Sequence, residues 1–219
     1  MQTGLDFSEE HTLADGTAVT LRHIRASDAD NLRDAFEQLS PESRYRRFFH
    51  SIGRLSDDMV RYLCDVDAKD HVAIVAGVIS PDLIHEHGLG VARFVRLRGE
   101  PTVAEMAVTV LDAYQGKGVG SILLNAIARA ASERGIEHFR GEVLTENAPM
   151  RALLASIGAK VIEEHGDSIV FDVSLLPLLG PDHETSAAAR LLREAATTIV
   201  RFVERQLGRR IVSAAEEPP

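Results

Sequence analysis

The chain has 219 residues, 45% of them hydrophobic, which suffices for one domain with a sizeable core. Its 33 acidic and 24 basic residues give a formal net charge of −9 without a basic block, which argues against binding to a nucleic-acid backbone. The single cysteine, Cys64, cannot form an internal disulfide, and neither a leader pattern nor an 18-residue apolar run is present. A cytoplasmic protein that does not enter a membrane is therefore expected.

The first part of the chain predicts a β-ribbon. Residues 1–10 carry no hydrophobic pattern and are expected to fray. Asp15-Gly16 separates two short runs, residues 11–13 and 18–25, and this dipeptide is a typical signal of a hairpin turn.

Three helices are predicted next. Their starts are marked by capping patterns at residues 27–30, at Ser40-Pro41 and at residues 56–58. Cys64 falls on the apolar face of the third helix with no histidine nearby in the sequence, so a buried structural thiol is favoured over a nucleophile.

Three strands follow, at residues 72–79, 89–97 and 103–110. The first is almost wholly apolar, as is typical of a strand covered on both faces. The segment His85-Glu86-His87 lies between the first two and could suggest a metal site. A structural site needs about four well-spaced ligands and no second cluster appears, so no metal is predicted.

The third of these strands carries a carboxylate in an apolar setting. Alternation puts two sets of residues on opposite faces: Ala104, Met106, Val108 and Val110 on one, and Val103, Glu105, Ala107 and Thr109 on the other. Glu105 is the charged exception. On its sequence alone, it fits a surface carboxylate and a functional one equally well.

A glycine turn and a helix come directly after this strand. Gly116, Gly118 and Gly120 allow a sharp turn that exposes backbone N–H groups at the start of a helix over residues 119–134, with Gly135 as its C-cap. Such a turn favours an anion. The spacing fits neither a Walker loop nor the dinucleotide fingerprint Gly-x-Gly-x-x-Gly.

The end of the chain predicts a strand near Glu142, a helix after Asn147, and two strands at residues 159–164 and 168–173. The whole pattern is mixed α/β (α+β). After residue 177 the composition changes, which predicts two parts: a domain at 1–177 and an extension at 178–219. Residues 186–210 of the extension have one apolar stripe and a polar face of mixed sign. This helix is expected to pack within the chain or in a homodimer.

Gln115, Gly118 and Gly120 match the Gln/Arg-x-x-Gly-x-Gly/Ala motif, and the chain thereby resembles the GNAT superfamily of N-acetyltransferases. Asn147 and Gly158 fit the same family. Residues 13–28 and 39–49 and the strand around Glu105 resemble the bacterial protein-lysine acetyltransferase branch. The match spans about residues 11–173.

The resemblance implies a GNAT fold with a mixed, mostly antiparallel sheet flanked by helices, and acetyl-CoA as cosubstrate. It implies that Glu105 is the general base and that Asn147 bonds the pantetheine arm. The strand and loop residues implied to hold the cofactor are Val108, Thr109, Val110, Gln115, Gly116, Lys117, Gly118, Val119, Gly120 and Ser121. Family members commonly carry a bulge on this strand, and such a bulge would shift by one residue which side chains, Glu105 included, lie on each face.

Two positions depart from the family pattern. Leu154 replaces the usual tyrosine that protonates the leaving thiolate, and Ala159 replaces a phenylalanine. Water, Tyr114 and Tyr45 remain candidates for the proton donor, although Tyr45 is expected simply to pack. Glu142 is the alternative base.

Arg44, Arg46 and Arg47 fit a solvated helix face better than contacts with the acceptor or with CoA phosphates. Three functions stay open. The first is a protein-lysine N-acetyltransferase, the second a small-amine N-acetyltransferase, and the third a non-catalytic module that senses acyl-CoA or binds a partner.

Overall fold

The structure, a computed structural model, describes residues 7–48, 52–79, 86–156 and 158–179. In these ranges the strands are β1 (Ser8–Thr12), β2 (Ala18–His23), β3 (His71–Ile79), β4 (Glu86–Leu97), β5 (Glu100–Val110), β6 (His138–Leu144), β7 (Lys160–His165) and β8 (Ser168–Ser174). The helices are α1 (Ala29–Gln38), α2 (Pro41–Phe48), α3 (Asp57–Cys64), α4 (Val119–Ser132), α5 (Ala148–Ser156) and α6 (Leu176–Leu179). Short 3₁₀ turns precede α1 and follow β5.

The strands form one sheet in the order β1-β2-β3-β4-β5-β6-β8-β7. β5 and β6 are parallel, and every other neighbouring pair of these eight strands is antiparallel. The parallel pair is joined through α4, as a crossover connection requires. The predicted mixed, mostly antiparallel sheet with flanking helices is confirmed.

Two apolar layers cover the sheet. α4 buries its stripe, including Leu123 and Ile127, against Phe94 and Ala104 of the central strands. On the opposite face, α1, α2 and α3 contribute a second cluster that contains Phe36, Phe48 and Leu63, among others. The central strands are therefore enclosed on both sides, as their apolar sequences predict.

The predicted ends of α2, α3 and α4 are confirmed, whereas Asp28, the N-cap of α1, makes no side-chain capping hydrogen bond to that helix. The Ser56 hydroxyl accepts a hydrogen bond from the Met59 N–H (3.2 Å) at the start of α3. At α2, the Ser40 hydroxyl accepts from the Ser43 N–H (3.1 Å). Gly135 follows α4 with a φ of 76°, the left-handed conformation in which glycine is favoured.

β5 begins three residues earlier than the sequence predicts, at Glu100, and so do two other strands, β1 and β4. The expectation that residues 1–10 fray is wrong for residues 8–10, because Ser8 pairs with Arg22 of β2 at the start of β1. β4 begins at Glu86, where the Glu86 carboxylate lies 2.6 Å from an Arg22 nitrogen. The extensions of β1 and β4 depend on partners distant in sequence, which local patterns do not contain.

The last helix, α6, lies against α4 and ends at Leu179. The predicted helix at residues 186–210 lies outside the described residues, so this helix, the boundary at 177 and the homodimer stay predictions. In the part of the chain that the structure describes, no helix has the length and apolar character needed to cross a membrane.

Candidate active site

The parallel pair β5 and β6 separates part-way along its length. The two strands are paired at Val103, Ala104 and Glu105 of β5, opposite residues 138–140 of β6. Beyond Glu105, β5 continues to Val110 and β6 to Leu144 without pairing. A wedge-shaped gap therefore opens in the middle of the sheet, immediately after Glu105.

Backbone groups of β5 point into this gap. Leu111 donates its N–H to the Leu89 carbonyl (2.8 Å), and the pairing with β4 runs unbroken from Ala104 to Val110. Because hydrogen-bonding direction alternates along an antiparallel pair, Ala107 and Thr109 bond to β4. The N–H groups of Val108 and Val110 consequently face the gap. The register shift of this pair lies before this part of the strand, between Arg96 and Leu97 of β4, so the alternation around Glu105 does not slip.

The glycine loop stands at the open end of the gap. Gly116 has a φ of 72°, and Gly118, the N-cap of α4, has a φ of 98°. A Cβ atom at either position would have no neighbour within 4 Å. The positive φ, and not a lack of space, therefore favours glycine. The first bonds of α4 run from Ser121 and Ile122 to the Gly118 carbonyl. The N–H groups of Val119 and Gly120 thus have no acceptor within the helix.

Side chains complete the loop. The Gln115 carboxamide donates to the Val110 carbonyl (3.1 Å), which ties the loop to the end of β5. Lys117 lies with its ammonium 5.0 Å from the centre of the Tyr114 ring and 3.8 Å from Asp15. The Ser121 hydroxyl is buried and has no hydrogen-bond partner among the described residues. Together, the helix N-terminus, an ammonium and an unpaired hydroxyl suit a phosphate.

A carboxylate anchors this loop to α2. Asp112 accepts hydrogen bonds from the Ser40 N–H (3.0 Å), the Ser40 hydroxyl (2.9 Å) and the Ser43 hydroxyl (2.8 Å). Burial raises the pKa of Asp112, but the hydrogen bonds from Ser40 and Ser43 outweigh it, and the net shift is downward. The loop is therefore attached to both faces of the domain.

Glu105 lies on the face of β5 that α1, α2 and α3 cover, as the alternation predicts. Ala104, Met106 and Val110 belong to the α4-facing core, whereas Glu105 is half-buried on the other side. Burial and the Arg93 cation lower the pKa of Arg47, and the nearby Glu105 carboxylate opposes this shift. Glu105 is also the last residue of β5 that pairs with β6, so it lies beside the gap.

Two arginines are buried on the same face, and sequence reasoning missed their environment. Arg93 of β4 is 2% exposed and Arg47 of α2 is 5% exposed. The expectation of a solvated face is wrong for Arg47, although Arg46 does lie near the surface and pairs with Glu42. Burial, and after it the Arg93 cation, lowers the pKa of Arg47. A buried position on a short helix depends on packing that periodicity cannot show.

The remaining candidates have structural positions. The Asn147 side-chain oxygen accepts from the Met150 N–H (3.3 Å) and caps α5, and Leu154 is buried in the α4-facing core. Tyr45 is 41% exposed, so the expectation that it packs is wrong. Cys64 is buried, as predicted, and burial raises the pKa of its thiol. Among the described residues, no three His, Cys, Asp or Glu side chains are grouped to hold a metal ion, and His85 lies outside that set.

The sequence model of the Acetyltransferase (GNAT) family matches residues 29–159, more than half of the chain. The chain belongs to this family. N-acetyltransferases of the GNAT family use acetyl-CoA as cosubstrate, so the predicted enzyme class and cosubstrate are confirmed at the level of the family. The family match also spans β5, the glycine loop and Asn147.

Among curated proteins, this GNAT chain is 31% identical over 185 residues to Acetyltransferase Pat of Mycolicibacterium smegmatis. The alignment covers 84% of this chain but 53% of that protein, so the chain spans about half the length of that relative. Acetyltransferase PA5475 of Pseudomonas aeruginosa is 30% identical over 151 residues, covering 67% of this chain and 77% of that protein.

Among solved structures, the GNAT domain of Streptomyces lividans PAT superposes with a TM-score of 0.67 at 32% identity, covering 76% of this chain and 96% of that domain. A cAMP-binding acyltransferase from Mycobacterium smegmatis has a TM-score of 0.53 at 28% identity, covering 87% of this chain and 56% of that protein. The resemblance to bacterial protein acetyltransferases that the sequence predicts is confirmed by the similarity to Pat proteins.

Proposed function

We propose that this chain transfers the acetyl group of acetyl-CoA directly to a lysine side chain of a protein, with Glu105 as the general base. The position of Glu105 carries this proposal. Glu105 is the last residue of β5 that pairs with β6 before the gap opens. Its carboxylate would therefore lie next to the thioester of an acetyl-CoA molecule bound in the gap.

The gap and the loop fit the two ends of acetyl-CoA. The N–H groups of Val108 and Val110 provide donors along the strand, where they would hold the pantetheine arm and polarise the thioester carbonyl. The amides of residues 115–121 would hold the pyrophosphate, with Lys117 and the Ser121 hydroxyl as additional donors. Asn147, beside β6, would bond the pantetheine arm while its side-chain oxygen caps α5.

The chemistry needs a base because a lysine ammonium is not a nucleophile. Glu105, directly or through one water, would accept the ammonium proton, and the neutral amine then attacks the thioester carbon. Bound acetyl-CoA supplies an acyl group with a thiolate leaving group. Water or Tyr114 would protonate that thiolate, since Leu154 is a core residue without a donor.

Similarity to Pat-type relatives supports a protein acceptor. The alignment with the Pat protein covers 84% of this chain. A small-amine acceptor would use the same cofactor residues and differ only at the acceptor side. The acceptor therefore has to be identified by assay.

The test measures CoA release from acetyl-CoA with a panel of lysine-containing proteins and, separately, a panel of small amines. We expect turnover on proteins, and a loss of about 10²–10⁴-fold in Glu105→Gln, the usual contribution of a general base. Glu100→Gln on the same strand is the matched control, because Glu100 lies at the surface and pairs with Arg140 (2.8 Å).

Three results would contradict the proposal. Turnover on small amines alone would identify a different acceptor class. Unchanged turnover in Glu105→Gln, with loss in Glu142→Gln, would assign the base to Glu142, which accepts from the Ser168 hydroxyl (2.5 Å). Acetyl-CoA binding without turnover on either panel would indicate a sensing module.

A further inference from the structure

β7 forms one edge of the eight-stranded sheet and is exposed along its whole length. It pairs with β8 on one side, and none of the described strands pairs with its other side. All six of its residues, Lys160–His165, are exposed. The backbone N–H and C=O groups at such an edge can pair with a further strand. The outer edge of β7 is therefore a surface on which another chain can add to the sheet.

Apolar side chains are concentrated at this edge. Within the described ranges, large hydrophobic side chains are exposed at five positions, and two of these, Val161 (52% exposed) and Ile162 (44% exposed), are neighbours on β7. The opposite edge strand, β1, contains no hydrophobic residue, and its Glu9 pairs with Arg129 of α4. The two ends of the sheet therefore differ, and the β7 end offers apolar surface for a contact.

A bulge limits how far another strand can pair with β7. Val161 lies opposite Phe171 of β8 and Glu163 opposite Val170, so Ile162 is an extra residue without a counterpart on β8. Bulges and charged side chains at an edge oppose unlimited pairing between sheets. A strand that docks here must therefore match a short stretch of β7 in both charge and register.

Lys160 and Glu163 share one face of β7 because of this bulge. Their counterparts on β8, Asp172 and Val170, are two residues apart and thus lie on the same face of that strand. Glu163 is 54% exposed and lies 3.0 Å from Nε2 of His165 through one carboxylate oxygen. A cation and an anion on one face, on either side of two apolar residues, form a pattern that a reversed copy of the same strand can match.

A second β7 in the antiparallel direction fits this pattern. If a two-fold axis passes between Val161 and Ile162, Lys160 lies opposite Glu163 of the second copy, and Val161 lies opposite Ile162 of the second copy. Each pair occurs twice, so the contact has two pairs of opposite charge and four apolar side chains between them. Cross-strand pairs of opposite charge and of β-branched residues both stabilise antiparallel strands.

We propose that the outer edge of β7 is a docking surface for a second copy of this chain, which joins the two sheets through antiparallel pairing of β7 with β7. The contact is isologous, so it closes at two copies and does not extend into a fibre. Because a six-residue edge is small, the dimer is a reversible one, as is typical of interfaces below about 1,200 Å². The glycine loop and the gap between β5 and β6 take no part in it.

Sedimentation equilibrium of the full chain at about 1–500 μM, the range in which small interfaces associate, tests the proposal. The mass is expected to rise from monomer toward dimer with concentration. Lys160→Glu places like charges opposite each other twice and is expected to weaken dimerisation about tenfold or more. The exchange of both charges in Lys160→Glu/Glu163→Lys restores opposite pairs, so the double variant is expected to regain the dimer to within about threefold.

Ile162→Lys places a cation in the apolar centre and is also expected to weaken dimerisation about tenfold or more. Ile79→Lys is the matched control, because Ile79 is likewise exposed (55%) but belongs to β3, and the dimer is expected to persist. A monomer at every concentration would overturn the proposal and would indicate that β7 has another occupant. A dimer that survives both Lys160→Glu and Ile162→Lys, or a double variant as weak as Lys160→Glu, would overturn it as well.

Discussion

On one face of the sheet, α4 covers an apolar layer in which the imidazole of His23 packs against Phe7. The face beneath α1, α2 and α3 buries Arg47 and Arg93 as well as His71 among its apolar residues. The first arrangement maximises burial of hydrocarbon. The second costs stability, because charged groups are removed from water. A cavity also lies on this face. We infer that the α4 face contributes more to the stability of the domain than the face beneath α1, α2 and α3.

Leucine truncations on the two faces give the largest expected effect. Leu123→Ala in α4 removes a fully buried side chain from a close-packed layer and is expected to cost about 2–5 kcal/mol of unfolding free energy. Leu55→Ala is expected to cost roughly half as much, because Leu55 already borders the cavity and makes fewer contacts on that side. Urea unfolding of both variants measures the difference. Equal losses would mean that the two faces are packed alike.

A substitution in the glycine loop tests whether this loop binds acetyl-CoA. Gly118→Ala places a side chain at a φ of 98° and is expected to weaken acetyl-CoA binding by about tenfold. Gly166→Ala, at a φ of 55° in the turn between β7 and β8, is the control for strain alone. It is expected to lose stability while keeping acetyl-CoA affinity. Calorimetry with acetyl-CoA separates the two, and equal affinities would remove the loop from the binding site.

The pH dependence of the unfolding free energy tests the face beneath α1, α2 and α3, where His71 and Arg93 are buried. Burial, followed by repulsion from Arg93, lowers the pKa of His71 to about 3, while an unfolded histidine has a pKa near 6.5. Between these values the unfolded state binds one more proton, so stability falls as pH decreases from about 6.5 toward 3. The expected slope is about 1 kcal/mol per pH unit.

Urea unfolding at several pH values, compared with His71→Asn, isolates this effect. The variant lacks the imidazole and is expected to lose that part of the slope, while the carboxylates contribute equally to both proteins. An NMR titration in which His71 protonates near pH 6.5 in the folded protein would show that it is not held neutral beside Arg93.

The sequence predicts the parts of this molecule that depend on local chemistry. The role of Gly118 could be predicted because a left-handed N-cap favours glycine. The role of Ser56 could be predicted because a hydroxyl can accept a hydrogen bond from an N–H group at the start of a helix. The position of Glu105 could be predicted because strand alternation places it on the face of β5 that does not contact α4. The motif around Gln115 then indicates the family, which the family match confirms.

Features that depend on distant partners could not be predicted. Arg47 looks like a surface residue of a short helix until α1, α3 and the sheet enclose it. The start of β4 at Glu86 depends on Arg22, 64 residues earlier, and on the space above Gly77. Asp112 is one more case, because its partners are Ser40, just before α2, and Ser43 in that helix, about 70 residues earlier in the sequence.

The central claim is that acetyl-CoA lies in the gap between β5 and β6. Residue-resolved amide hydrogen exchange with and without saturating acetyl-CoA tests it most directly. The account predicts that exchange slows at Val108 and Val110, whose N–H groups face the gap, and stays the same at Ala107 and Thr109, which bond to β4. Unchanged exchange at Val108 and Val110 while acetyl-CoA is bound would contradict it.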